Sequence, residues 1–211
     1  MKTTFALVSC ALTMAFFAQA QTTQTFVSSQ NNKLEREEAI RMLDKGNSTI
    51  TGKVFARDIQ TGIKALSFLN TNEKQYAPTG TEVILIPYTA YFKEYLETAK
   101  KQRKRGKWLQ LPNEAVECMK FHKIDGGGGK FVFDKLMPGK YVLYTHFGYI
   151  HTIPRTRVVG KTDHYVNGVY QNSSDITSSY GLRMDSDALV EKLVTIDKDG
   201  EVKEVNLKKA E

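Results

Sequence analysis

Cysteine is nearly absent from this chain. Cys10 and Cys118 are the two present among 211 residues. Cys10 falls inside an N-terminal export-type segment, so an exported chain keeps Cys118 alone. One thiol cannot close an internal disulfide, and the fold has to be held by its hydrophobic core. As a nucleophile Cys118 would need a neighbouring base, and no known cysteine-enzyme signature surrounds it. Long apolar runs are scarce as well. The longest, "FALVSCALTMAFF" (Phe5 to Phe17), has thirteen residues. A membrane-spanning helix needs roughly 18 or more. Lys2 precedes this run and Ala18-Gln19-Ala20 follows it, which predicts a secretory signal over residues 1–20, cleaved before Gln21. "LVSC" (Leu7 to Cys10) resembles a lipoprotein box, but lipidation at Cys10 would leave an apolar core of only Phe5 to Ser9. The expectation is a secreted or periplasmic protein, associated with the cell envelope, with no transmembrane segment. Export also removes nucleic acid from the expected partners.

Patterned metal ligands are missing too. The four histidines are His122, His146, His151 and His164. His146 and His151 are five apart, which is not a helix-face spacing, and nothing supplies the short loops of a zinc site. "DKDG" (Asp197 to Gly200), with Asp185 and Asp187 nearby, invites a calcium reading. Its glycine stands fourth rather than sixth and the twelfth-position Glu is absent, so it reads as a turn. No Ser/His/Asp or paired-carboxylate motif orders the remaining polar residues. Hence no catalytic residue, no metal ligand and no cofactor is assigned. An enzyme or metal-binding site built in the 146–187 region from His146, His151 or His164 stands as an alternative.

Glycine, by contrast, is concentrated in "DGGGGKF" (Asp125 to Phe131). A phosphate-binding Walker loop needs a glycine six positions before its lysine and Ser or Thr directly after. Here those places hold Ile124 and Phe131. The run is therefore read as the flexible turn of a hairpin, where glycine adopts positive φ without penalty.

The rest of the chain reads as short elements. Residues 21–47 form a polar leader followed by a short helix over Lys33 to Lys45, stopped at Gly46. "STITGKVFARD" (Ser48 to Asp58) alternates as a half-buried strand, and "TEVILIPY" (Thr81 to Tyr88) reads as a central one. The stretch from Gln60 to Gly80 is loop-like. Thr89 to Arg105 has helical spacing of Tyr91, Phe92, Tyr95, Leu96 and Ala99 on one face. Further strands are expected over Val116 to Ile124, Lys130 to Asp134 and Tyr141 to His146. Glu191 to Ile196 and Val202 to Leu207 flank "DKDG" as an expected hairpin. Arg155 to Asp187 is polar and long for a plain connection, so an elaborated loop is expected there. Many short strands with turn signals point to a mainly β protein, a β-sandwich.

"GKFVFDKLMPGKYVLY" sets Phe131, Phe133, Leu136, Pro138-Gly139 and Tyr141 in a fixed rhythm: strand, tight turn, strand opening on an aromatic. This run resembles the carboxypeptidase regulatory-like domain, whose wording F-x-F-x-x-L-x-P-G-x-Y stands intact here. "ITGKVFARD" (Ile50 to Asp58) is similar to that family's opening strand, and "VTIDKDGEVKEVNL" (Val194 to Leu207) to its closing hairpin. "VILIPYTAYFKEYLE" (Val83 to Glu97) is similar to a variant in exported bacterial proteins, where the second strand runs into a helix. The resemblance implies a seven-stranded, Ig-like or prealbumin-like sandwich over 48–211. The chain departs from that family's simple pattern in a helical insertion at 89–107 after the second strand and a second insertion at 155–187. The motif carries no catalytic residues. Its members are accessory or structural sandwiches.

Two surfaces remain as binding candidates. "KKQRKRGK" holds Lys100, Lys101, Arg103, Lys104, Arg105 and Lys107, with Trp108 next. Cations at a helix C-terminus complement the macrodipole, which is a sufficient structural account. They also suit an anionic polysaccharide, a lipid headgroup or an acidic protein partner, and the net charge of +7 permits this. The second surface is the insertion with Tyr165, Tyr170 and Tyr180 beside Asn167 and Asn172, residue types common on binding loops. The expected function is that of a non-catalytic envelope binding or structural module. A self-assembling envelope subunit, hence a homo-oligomer, is a further alternative.

Overall fold

The computed structural model describes residues 24–25, 32–58 and 74–209. The expected export signal at 1–20, the Cys10 box and most of the Gln60 to Gly80 stretch lie outside the described residues.

In chain order the elements are β1 (Gln24–Thr25), α1 (Arg36–Asp44), β2 (Ser48–Arg57), β3 (Lys74–Tyr76), β4 (Glu82–Pro87) and α2 (Ala90–Arg103). They continue with β5 (Leu109–Gln110), α3 (Asn113–Val116), β6 (Lys120–Lys123) and β7 (Lys130–Leu136). β8 (Gly139–Val166), β9 (Val169–Ile196) and β10 (Val202–Lys208) complete the set. The fold is the expected mainly β sandwich. In the first sheet β2 is central. β10 pairs with it in parallel, while β7 and β3 pair antiparallel along its other edge. The second sheet is antiparallel in the order β6-β4-β8-β9.

The alternation seen in sequence explains the layer between the sheets. Ile50, Val54 and Ala56 of β2, Phe131 and Phe133 of β7, and Val205 and Leu207 of β10 face Val83, Leu85, Leu143, Phe147 and Val194 of the second sheet. Side chains two apart along a strand share a face, so each strand contributes every other residue. All four motif side chains, Phe131, Phe133, Leu136 and Tyr141, lie in this core. Tyr141 is fully buried, and its hydroxyl lies 2.7 Å from the Met137 carbonyl and 2.9 Å from that of Met42. Burial pushes its phenol up to about 12.

α2 covers the outer face of the second sheet. Tyr91, Phe92 and Leu96 pack there with Ile86, Val142 and Cys118. Cys118 is buried, and burial raises its thiol above the usual range, which suits packing rather than chemistry. α1 docks on the sandwich: Leu43 joins the inter-sheet core and Ala39 the α2 cluster. No helix among the described residues is long and apolar enough to cross a membrane.

Several expectations are corrected. Within the stretch read as a polar leader, β1 pairs in parallel with β5. The strand expected over Val116 to Ile124 is present but shorter, as β6, and the helix α3 occupies the chain up to Val116 before it. The helix follows the third strand of the sandwich rather than the second, since β3 precedes β4. The "DKDG" turn does not close a hairpin: β9 pairs with β8, and β10 crosses to the other sheet beside β2. The glycine run likewise leads from β6 in one sheet to β7 in the other. Within it, Gly129 has φ +61, and a Cβ there would sit 2.3 Å from the Val54 carbonyl oxygen. That close approach lets Val54 N–H donate to the Gly129 carbonyl at 2.8 Å.

The largest departure is at 155–187. The expected loop is two strands. β8 and β9 have 28 residues each and stay paired to a two-residue turn at Asn167-Gly168. Both turn residues have positive φ, +51 and +79, the backbone of a tight I′-type hairpin turn. "VNGV" is the strongest short-range hairpin signal a sequence carries, and it was available at this position. The polar composition outweighed it because a ribbon free on both faces does not need a hydrophobic alternation.

Candidate binding surfaces

The basic run ends α2 and then turns back on the sheet. Gly106, at φ +72, closes the helix, and its N–H donates to the Arg103 carbonyl at 3.0 Å. Glycine takes this left-handed position at helix ends without steric cost. The reversal brings Trp108 beside Arg103. The Arg103 guanidinium carbon lies 5.9 Å from the Trp108 ring centroid and 5.9 Å from that of Tyr144, which projects outward from β8. Tyr95 closes the floor, its hydroxyl donating to the Leu109 carbonyl at 3.2 Å. Burial raises the phenols of Tyr95 and Tyr144 above their ordinary value. The result is a groove of about 180 Å³ between α2 and the second sheet, with Arg103, Lys107, Trp108 and Tyr144 on its walls. Trp108 is 52% exposed.

The expected basic residues therefore divide. Arg103 is half-buried and belongs to the groove. Lys100, Lys101, Lys104 and Arg105 are exposed on the surrounding surface. None of them enters an ion pair among the described residues. Tyr144 and Tyr95 were not placed in the candidate site by sequence. Tyr144 comes from a strand distant in the chain, and no local pattern reports that approach.

Tyr165 and Tyr170 lie elsewhere, at the tip of the β8–β9 ribbon. They face each other across the strands with ring centroids 5.7 Å apart, edge to face. The two expected surfaces are thus separate.

The histidines are not gathered. His146 lies 3.6 Å from Asp187, both largely exposed. His164 is 3.2 Å from the Ser174 hydroxyl near the tip. It stands thirteen positions along the strand from His151, roughly 40 Å at about 3.3 Å per residue. His122 packs edge to face on Phe133. Among the described residues, no three His, Cys, Asp or Glu side chains converge to hold a metal ion.

His151 has a different role. Its Nδ1 is 2.7 Å from the Asp58 carboxylate, which also accepts the Thr152 N–H at 2.7 Å. Just beside it, Gln75 grips Ile150, accepting its N–H at 2.7 Å and donating to its carbonyl at 2.8 Å. These contacts clamp the ribbon where it leaves the sandwich.

No protein-family model matches the chain, and no curated protein matches it. Among solved structures it is similar to that of a proposed carbohydrate-binding protein from Pseudomonas aeruginosa. The two share 19% sequence identity, with a TM-score of 0.49 over 84% of this chain and 97% of that one.

Proposed function

We propose that this chain is an exported, non-catalytic binding module of the bacterial cell envelope, and that the groove of Arg103, Trp108 and Tyr144 is its contact site. The observation that carries this reading is the placement of one guanidinium against two aromatic rings at the rim of a basic surface. An arginine beside aromatic rings offers N–H donors to a carboxylate, sulfate or phosphate. Half-exposed Trp108 supplies a flat apolar face beside them. Together they suit an anionic ligand with a flat apolar side, such as an acidic sugar ring of an envelope polysaccharide. Lys100, Lys101, Lys104 and Arg105 add long-range attraction.

The family reading goes with this proposal. The F-x-F-x-x-L-x-P-G-x-Y run resembles the carboxypeptidase regulatory-like domain, and its side chains build core rather than chemistry. That supports an accessory sandwich whose function lies in added surfaces.

The test is binding of the chain from Gln21 to isolated envelope fractions at low and moderate salt. Arg103→Ala and Trp108→Ala are each expected to weaken binding by about tenfold, the scale of a central interface residue. Changing Lys100, Lys101, Lys104 and Arg105 to Gln is expected to weaken it mainly at low salt. Native-like binding by both single variants would sink the groove as the contact site.

A further inference from the structure

We propose that the tip of the β8–β9 ribbon inserts into the interfacial layer of a lipid bilayer. The ribbon leaves the sandwich at the Asp58 and Gln75 clamp and runs about 14 residues further, roughly 45 Å. Its last six residues, Tyr165 to Tyr170, read "YVNGVY" and carry no charge. Val166 pairs with Val169 and Tyr165 with Tyr170. Neighbouring residues on a strand face opposite ways, so the valines hold one face of the tip and the tyrosines the other. All four are more than half exposed: 60%, 58%, 63% and 53% for Tyr165, Val166, Val169 and Tyr170.

The contrast with the rest of the ribbon identifies the occupant. Nearer the sandwich, Ile176, Tyr180 and Leu182 share one face, while Thr156, Thr177 and Ser179 share the other with Val158 alone among them apolar. That stretch is mainly apolar on one side and mainly polar on the other. The tip is apolar or amphipathic on both sides, which fits a medium that surrounds it. A bilayer interface does this, and tyrosine is enriched at that depth. Strand addition by a protein partner along β8 is disfavoured, because Pro154 and the bulge at Val159 interrupt that edge, and on β9 a bulge at Gln171 breaks the edge beside the tip. Face-to-face pairing of two copies would bring Arg155 and Arg157, on the Tyr180 face, towards their counterparts. An uncharged tip also separates this site from the groove: its binding is expected to be insensitive to salt.

The test is flotation of the chain from Gln21 with vesicles of phosphatidylcholine, alone and with phosphatidylglycerol, at low and high salt. Binding to both vesicle types with little change on adding salt is expected. A variant with Tyr165, Val166, Val169 and Tyr170 all changed to Ser is expected to bind at least tenfold more weakly with an unchanged melting temperature, since exposed substitutions cost little stability. Val169→Cys provides an independent readout. The remaining thiol, Cys118, is buried, so an environment-sensitive dye reports on position 169 and its emission should shift to the blue on vesicles. Absence of flotation, native-like flotation of the serine variant, loss of flotation at high salt, or an unshifted dye would each overturn the proposal. So would a concentration-dependent mass abolished by the serine variant, which would make the tip a contact with a second copy.

Discussion

Asp58 is the place where the ribbon's attachment can be broken with one substitution. Its residue is 3% exposed, and its carboxylate accepts the Thr152 N–H while facing His151 Nδ1. Asp58→Ala removes the acceptor and leaves the part-buried Thr152 N–H without its partner. That costs about 1–3 kcal/mol. The His151 side chain is 42% exposed, so it turns to water and adds little. The expected loss is about 2 kcal/mol, a factor of roughly 30 in the folded-to-unfolded ratio. Asp58→Asn restores an acceptor for Thr152 and should recover at least half of the loss. Urea unfolding at neutral pH measures both. The loss should also be local: amides of 150–154 and 181–185 should exchange faster, while those of β4 and β10 keep pace with global unfolding. Gln75 still holds Ile150 in the variant, so strand register is expected to survive. An Asp58→Ala protein within about 0.5 kcal/mol of native, the range of an ordinary surface change, would refute the clamp.

Two more predictions concern the core and the glycine run. Gly129→Ala should destabilise strongly, by several kcal/mol, the range of severe core mutations, because its Cβ would meet the Val54 carbonyl at 2.3 Å with φ at +61. Gly127→Ala meets nothing within 4 Å and should be neutral; equal effects in thermal melting would show that the run acts only as a flexible turn. Tyr141→Phe should cost about 1 kcal/mol, the net value of one hydroxyl hydrogen bond, and Met42 keeps the Met137 N–H as donor to its carbonyl. The native phenol titrates near 12 when folded and near 10 in the open chain. Stability from this group is therefore complete below pH 10 and lost as pH rises towards 12. A native protein whose urea midpoint falls no faster over that interval than that of Tyr141→Phe would contradict the burial argument.

Local physics was legible in the sequence wherever it acts between near neighbours. The period-two alternation of β2, the helical face of Tyr91, Phe92 and Leu96, and the aromatic–Pro-Gly–aromatic rhythm each placed an element and its buried side. They also specified a mainly β sandwich. Turn chemistry was legible only as a reversal. Asp197 to Gly200 and the four glycines both reverse the chain, but turn residues fix φ and ψ over a few positions and hold no information about the next strand's partner. The structure sends both connections to the opposite sheet, because β2 at the centre of the first sheet needs β10 and β7 on its two edges. The basic run was visible as charge, yet its division into one groove arginine and several solvated cations was not. Tyr144 lies some forty residues from Arg103 along the chain, and only the packing of α2 on the sheet brings them together. The sequence by itself determined most strands and helices of the sandwich, though not the strands of 155–187, and which side chains are apolar enough to fill a core. Tertiary structure alone decided which strands pair, which aromatic rings meet Arg103, and that 155–187 stands away from the sandwich as a ribbon. The reason is that periodicity and turn geometry are set by neighbours in the chain, whereas pairing and burial are set by the free energy of the whole assembly of faces.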